Sequence, residues 1–211
     1  MSVPEAATVL AERASRAGLT IPEPLASRLL AYYQLLSRWN RKINLTALSD
    51  PAEAVDRLLL EPVAAAAHLP SDVDLIDLGS GGGSPAVPLA LALGSPRLVM
   101  VESRVRKAAF LREVLREVGV QGSVETARFE EVAARASFAG AFGIVSVRAV
   151  RLDRELFESV QALLRPVGYA ALFRPLEAEG APDGLTPGLR WLSDALLNTA
   201  SRSTLTLLQK S

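Results

Sequence analysis

Asp77, Gly79, Ser80, Gly81, Gly83 and Glu102 are the residues whose types and spacing can do chemistry together. The run Asp74 to Leu78 is apolar up to Asp77 and then breaks into Gly79-Ser80-Gly81-Gly82-Gly83-Ser84-Pro85, and a helical pattern of small and apolar residues opens at Ala86. This is a strand, a tight turn and a helix start, and in an α/β sheet a ligand sits at the mouth of such a turn. Glycines permit positive φ and let a ligand approach the main chain closely. The spacing is G-x-G-x-G; a dinucleotide loop would need glycine where Ser84 stands. The acid and the loop therefore read best as a nucleoside-cofactor site, with S-adenosylmethionine as the nucleoside, against the plainer alternative of a glycine-rich surface turn. Glu102 ends the next apolar run, 25 positions beyond Asp77 (102 − 77). A carboxylate there can accept bonds from both ribose hydroxyls, although nicotinamide dinucleotides use such an acid too.

The elements that must hold these residues follow from the pattern around them. Before Val73 the chain is all helical: Ser2 to Gly18, with Ser2 and Glu5 at capping-box spacing; a second helix from Thr20 to about Trp39; and a third from Asp50 to about His68, which Pro62 should break or kink. From Val73 strands alternate with helices. Strands are expected at Asp74–Leu78, Arg97–Val101, Ser123–Ala127, Gly143–Val147, Gly168–Phe173 and Thr204–Gln209, and Leu189–Leu197 is ambiguous between strand and helix. Helices are expected at Val87–Leu93, Val105–Val118, after Phe129 and at Asp153–Leu164. Repeated β-α units imply a mostly parallel sheet with right-handed crossovers. The expected organisation is a helical extension over 1–70 and a Rossmann-like α/β core over 71–211, packed as one unit.

Composition narrows the function classes. With 49% apolar and 22% charged residues, the 211-residue chain can build a large core, and disorder throughout is excluded. The absence of cysteine removes disulfides, thiolate metal ligands and cysteine nucleophiles, and no metal site is expected. No apolar run is long enough to cross a membrane and no secretory signal opens the chain, so cytoplasmic residence is the default. The net charge of zero counts mildly against a nucleic-acid binder, but the distribution of charge matters more. Ser103 to Arg112 is basic at a helix start, where positive charge opposes the helix dipole; nucleic-acid contact and simple solvation both account for it.

Five motifs, in order, resemble one bacterial family. Trp39-Asn40-Arg41-Lys42-Ile43-Asn44-Leu45-Thr46 is similar to its W-N-x-x-[IF]-N-L-T signature, and Asp77 to Ala90 to its D-[LV]-G-[ST]-G-x-G-x-P-G-[IV]-P-L-A segment. Glu102 to Arg112 resembles its [ED]-S-x-x-K-K-x-x-F-L-R, Arg128-Phe129-Glu130-Glu131 its R-x-E-[ED], and Val147-Arg148-Ala149-Val150 its x-R-A-[VF]. The family is the small-subunit (16S) ribosomal RNA guanine-N7 methyltransferases, once called glucose-inhibited division protein B. The resemblance implies a class I methyltransferase fold of about seven strands with helices on both faces, S-adenosylmethionine as cofactor and small-subunit rRNA as partner, with the chain expected to be a monomer. It also implies cofactor contacts at Gly79, Ser84, Glu102, Phe129, Glu130 and Arg148. Arg38, Arg41, Lys42, Arg104, Arg106 and Lys107 are candidate phosphate contacts around the cofactor mouth. Asn40, Asn44 and Thr46 are expected to cap or close a turn.

The departures lie where the substrate should be met. The family's H-x-x-D-S-[LV] is Leu58-Leu59-Leu60-Glu61-Pro62-Val63 here; a large apolar loop residue is Ser84; and Phe173-Arg174-Pro175 stands where K-G is usual. His68, the sole histidine, falls ten residues beyond the expected place and reads as a helix-end residue. No catalytic residue is assigned. Three readings stay open: guanine-N7 methylation; a relative that binds cofactor or ribosome without turnover; or a methyltransferase for another acceptor, which calls for an apolar mouth around Leu58, Ser84 and Phe173.

Overall fold

The change of period at Val73 is where the sheet begins. The computed structural model describes residues 3–178, 180–198 and 203–211; the proposed Ser2 cap lies outside them. Helices α1 (Val3–Arg16) and α2 (Glu23–Asn40) lead into α3 (Pro51–Val55), a π turn (Asp56–Leu60), α4 (Glu61–Ala65) and a 3₁₀ turn (Ala66–His68). The core then alternates β1 (Leu75–Leu78), α5 (Ala86–Leu93), β2 (Leu98–Val101), α6 (Val105–Val118), β3 (Gly122–Glu125), α7 (Phe129–Ala133), β4 (Phe142–Arg148) and α8 (Arg154–Leu163). It ends in β5 (Leu164–Pro175), a 3₁₀ turn (Leu176–Ala178), β6 (Leu189–Asn198) and β7 (Ser203–Lys210).

The strand order is β3-β2-β1-β4-β5-β7-β6, parallel except for β7, which runs antiparallel to both of its neighbours. The order reverses between β1 and β4, both paired in parallel with Ile76 opposite Val145. That reversal opens a crevice beyond the strand ends, where α/β sheets bind ligands. β1 is buried at all four positions, as a central strand covered on both faces must be.

Alternation along the strands assigns the faces. Leu75, Met100, Ile144 and Ala171 face α1, α2, α5 and α6, whereas Ile76, Val99, Val145 and Leu172 face α7 and α8. Asp77, Ser146 and Arg148 share parity with the first set, which places them beneath the N-terminal helices. α2 lies antiparallel along α6: Arg28 Nε donates to the Val118 carbonyl at 2.7 Å, and Trp39 Nε1 to Glu113 at 3.1 Å. α1 is tied to the π turn by the Arg13–Asp56 ion pair.

Several boundaries differ from the expected ones for local reasons. α2 starts at Glu23 behind Pro22, and Thr20 does not cap it. β5 starts at Leu164, four residues early, and passes through an irregular register around Val167, whose φ is +61°. β6 settles the ambiguous segment as strand, because the exposed edge of β7 offers it a ladder. The third helix is interrupted at Asp56–Leu60, ahead of Pro62 rather than at it.

Candidate active site

Gly79 begins the site. Its φ of +74° is left-handed, and a Cβ there would lie 2.7 Å from Val150 Cγ2, so only glycine fits. The loop leaves β1 under firm control: Gly79 and Ser80 N–H both donate to the Val101 carbonyl, and Tyr32 from α2 donates its hydroxyl to the Gly82 carbonyl at 2.6 Å. The Leu45 carbonyl sits over Gly82, 3.1 Å from where a Cβ would be. Asn40 sets that carbonyl's place by accepting from Leu45 and Thr46 N–H at 2.8 and 3.0 Å and donating to the Thr46 carbonyl at 3.1 Å. The W-N-x-x-I-N-L-T stretch is thus a clamp on the glycine loop. Asn40 closes its turn, as the residue type suggests, and the Thr46 hydroxyl accepts from Leu48 N–H at 3.1 Å; Asn44 is exposed.

Beside Gly79 lies a cavity of about 220 Å³ lined by Val101, Glu102, Ala127, Phe129, Glu130 and Val150. Glu102 accepts from Gly81 N–H at 2.9 Å through one carboxylate oxygen and from Arg104 N–H at 2.8 Å through the other. Each oxygen keeps a second lone pair, so one carboxylate can both pin the loop and receive ribose hydroxyls. Glu130 Oε2 is buried in the same wall with no hydrogen-bond partner among the described residues, and such an acceptor suits an amino group of a bound heterocycle. These residues fit an adenosine.

The other expected contacts fall elsewhere. Asp77 is buried, accepts from the Ser146 hydroxyl at 2.6 Å and does not line the cavity. Ser80 turns inward and donates to the Asp77 carbonyl. Gly83 is glycine because Leu111 and Tyr32 press on it, at 3.2 and 3.3 Å from a Cβ position. Ser84 and Arg148 belong to a second cluster on the N-terminal face. Tyr32 and Ser146 carry no signal in the chain beyond that of ordinary core or strand residues, and Val150 falls in the x-R-A-[VF] motif without a role that the motif discloses.

Burial raises the Asp77 carboxyl to about 6, a shift that the Ser146 and Ser80 hydroxyls only partly offset. A folded value above the unfolded one means that the native state binds the extra proton between pH about 4 and 6. The stability associated with Asp77 is therefore greatest below that window and falls as pH rises through it. Asp77→Asn should raise the urea midpoint at pH 7.5, by roughly 1–3 kcal/mol of stability, and flatten the stability profile between pH 4 and 6. Parallel denaturation series of the two proteins check this.

The second cluster explains the departures from the family pattern. Pro62 has no N–H for the Leu58 carbonyl and would clash with it in a regular helix. The π turn relieves this: Glu61 N–H reaches back to the Asp56 carbonyl, leaving the Arg57 and Leu58 carbonyls free of the helix ladder. Leu58 O accepts from the Ser84 hydroxyl at 2.9 Å, and Arg57 O from Arg148 Nη1 at 2.5 Å. Pro62 and Ser84 are therefore matched: one removes a donor and the other supplies it. Arg148 Nη2 pairs with Glu61 at 2.7 Å, and the guanidinium lies 4.6 Å from the centre of the Phe173 ring. Burial lowers the Arg148 pKa and Glu61 raises it again. Ser84→Ala should leave the Leu58 carbonyl without its donor and cost about 1 kcal/mol, a fall of about 2–4 °C in melting temperature for a chain of this size. A thermal melt checks it.

The six basic candidates are exposed or half-exposed, and none forms an ion pair among the described residues. The antiparallel packing of α2 on α6 sets Arg38, Arg41 and Lys42 beside the start of α6, where Arg104, Arg106 and Lys107 stand. Lys107 Nζ lies 4.0 Å from a Cβ position at Gly81. They form one ridge next to the glycine loop.

A parallel sheet reversing between β1 and β4, an antiparallel β7, and a glycine loop tied to an acid at the end of β2 define an S-adenosylmethionine-dependent methyltransferase of the Rossmann-like class. Solved structures agree on the fold. TrmN from Thermus thermophilus superimposes with a TM-score of 0.56 at 17% identity, covering 72% of this chain and 48% of that one. A mutant of MtNAS in complex with S-adenosylmethionine gives 0.55 at 14% identity, covering 96% of this chain and 72% of that one. The family model "rRNA small subunit methyltransferase G" (GidB) matches residues 25–180. Curated relatives named "Ribosomal RNA small subunit methyltransferase G" include one from Syntrophotalea carbinolica, 32% identical over 83% of this chain and 78% of its own length. Another, from Stenotrophomonas maltophilia strain K279a, is 38% identical over 72% of this chain and 70% of its own length. The chain belongs to this family of rRNA methyltransferases.

Proposed function

We propose that the chain transfers a methyl group from S-adenosylmethionine to guanine N7 of small-subunit (16S) rRNA. The observation that carries this is the cavity formed by Gly79, Glu102, Phe129 and Glu130 at the sheet reversal. There Glu102 would hold the ribose and Phe129 and Glu130 the adenine, while Asp77, Ser80, Gly81 and Gly83 build the loop and Ser84 and Arg148 shape the mouth. The cofactor supplies a methyl group already activated on sulfonium. Guanine N7 has a free lone pair and no proton, so this chain needs no general base; its task is to orient the reactants and exclude water. The missing histidine is then no obstacle to turnover.

The mouth around Leu58, Ser84 and Phe173 contains the Arg148–Glu61 pair, so it is not the apolar mouth that the third reading, transfer to another acceptor, calls for. Residues 1–70 act as a clamp on the core over 71–211, and the enzyme works as a cytoplasmic monomer. No helix among the described residues is long and apolar enough to cross a membrane.

The test is transfer of labelled methyl to small ribosomal subunits and to naked small-subunit RNA, with calorimetric titration of the cofactor. Label in RNA is the expected result; cofactor binding without label would contradict it. RNA affinity should fall steeply with salt. Alanine at each ridge residue that contacts phosphate should flatten the slope of log affinity against log salt by about 0.7, read from filter binding across a salt series.

A further inference from the structure

We infer that a second cavity, of about 190 Å³ beyond the ends of β4 and β5, receives the acceptor base, and that Arg174 selects guanine by donating to its O6. This rests on the guanine-N7 reading above. Val150 lines both this cavity and the Glu102 cavity, so a base held here lies beside whatever the first cavity presents past Gly79. Ala149, with φ of +56°, turns the chain so that Val150 reaches that position. The walls are largely apolar, from Leu152, Leu172, Phe173 and Pro175, as a planar heterocycle requires.

Arg174 is the charged residue in this lining. Its Nη1 donates to the Gly180 carbonyl at 2.8 Å and to Thr206 Oγ1 at 3.1 Å. Asp194 anchors both partners, accepting from Gly180 N–H at 2.8 Å and from the Thr206 hydroxyl. The guanidinium is thus held in place while its Nε–H is buried with no partner among the described residues, a donor that a ligand acceptor would satisfy. Arginine can only donate. Guanine carries the O6 acceptor beside N7, whereas adenine carries an N6 amino donor there. Adenine would set donor against donor; guanine would satisfy Arg174 and leave the N7 lone pair for the methyl group.

The probe is a semisynthetic small-subunit RNA in which the guanine labelled by the unmodified enzyme is replaced by inosine, which keeps O6 and lacks the 2-amino group, or by 2-aminopurine, which keeps N7 and the amino group and lacks O6. The expected result is that the wild-type enzyme accepts inosine within a few-fold of guanine and disfavours 2-aminopurine by about tenfold or more in kcat/KM. In Arg174→Met the guanine to 2-aminopurine ratio should collapse to about twofold, with cofactor affinity unchanged, and Arg174→Lys should restore the preference. Wild-type acceptance of 2-aminopurine equal to that of inosine, or an unchanged ratio in Arg174→Met, would overturn the inference alone. No transfer to any RNA by the wild type would remove the guanine-N7 reading, and this inference with it.

Discussion

Gly79→Val should abolish cofactor binding while leaving the chain folded. Two independent costs meet at this position. A β-branched residue at φ of +74° is strongly disfavoured, and its Cβ would stand 2.7 Å from Val150 Cγ2. The relief open to the chain is displacement of Val150 or of the loop, and both line the Glu102 cavity. The expected loss is at least about 100-fold in S-adenosylmethionine affinity, or roughly 3 kcal/mol. Far-ultraviolet circular dichroism should be unchanged, because Gly79 lies outside the helices and strands. Titration calorimetry decides the matter: affinity within a few-fold of wild type would mean that the cofactor does not approach this loop.

The second large effect is at the Glu61–Arg148 pair. Both groups are buried, the Glu61 side chain fully and that of Arg148 to all but 14%. Glu61→Ala would leave the guanidinium without its carboxylate, which for a buried pair costs about 3–5 kcal/mol. Arg148→Met in the same background should recover much of that loss, because removing both charges removes the desolvation penalty as well. The functional consequence differs. Arg148 also holds the Arg57 carbonyl and lies over Phe173, so the double variant, although stable, should lose methyl transfer by a factor of about ten or more, in line with lost positioning. Urea unfolding of the single and double variants gives the coupling; additive losses would show that the pair contributes no mutual stabilisation.

How far the sequence discloses this site depends on how far apart its parts lie in the chain. The glycine loop and Glu102 are legible because strand ends, turn glycines and the acid are local signals. The sheet is legible because apolar runs and helical stripes alternate after Val73. The coupling of Pro62 to Ser84 is not: the two residues are 22 positions apart (84 − 62), and each alone reads as damage to the family pattern. In the fold the π turn brings them together, and the loss of one donor is made good by another. The roles of Tyr32, Leu45 and Val150 are hidden for a related reason. Tyr32 lies on an apolar helix face and Leu45 and Val150 lie in family motifs, and neither kind of signal says what each residue packs against. The family motif marks Arg148 as a cofactor contact, yet its partner Glu61 emerges only once the start of α4 meets the end of β4.

Guanine-N7 transfer is tested most directly by nucleoside analysis of small-subunit RNA after incubation with the enzyme and methyl-deuterated S-adenosylmethionine. Deuterated 7-methylguanosine is expected at one position, absent when Gly79→Val replaces the wild-type enzyme. Deuterium in another nucleoside, or none in RNA despite measurable cofactor binding, would contradict it.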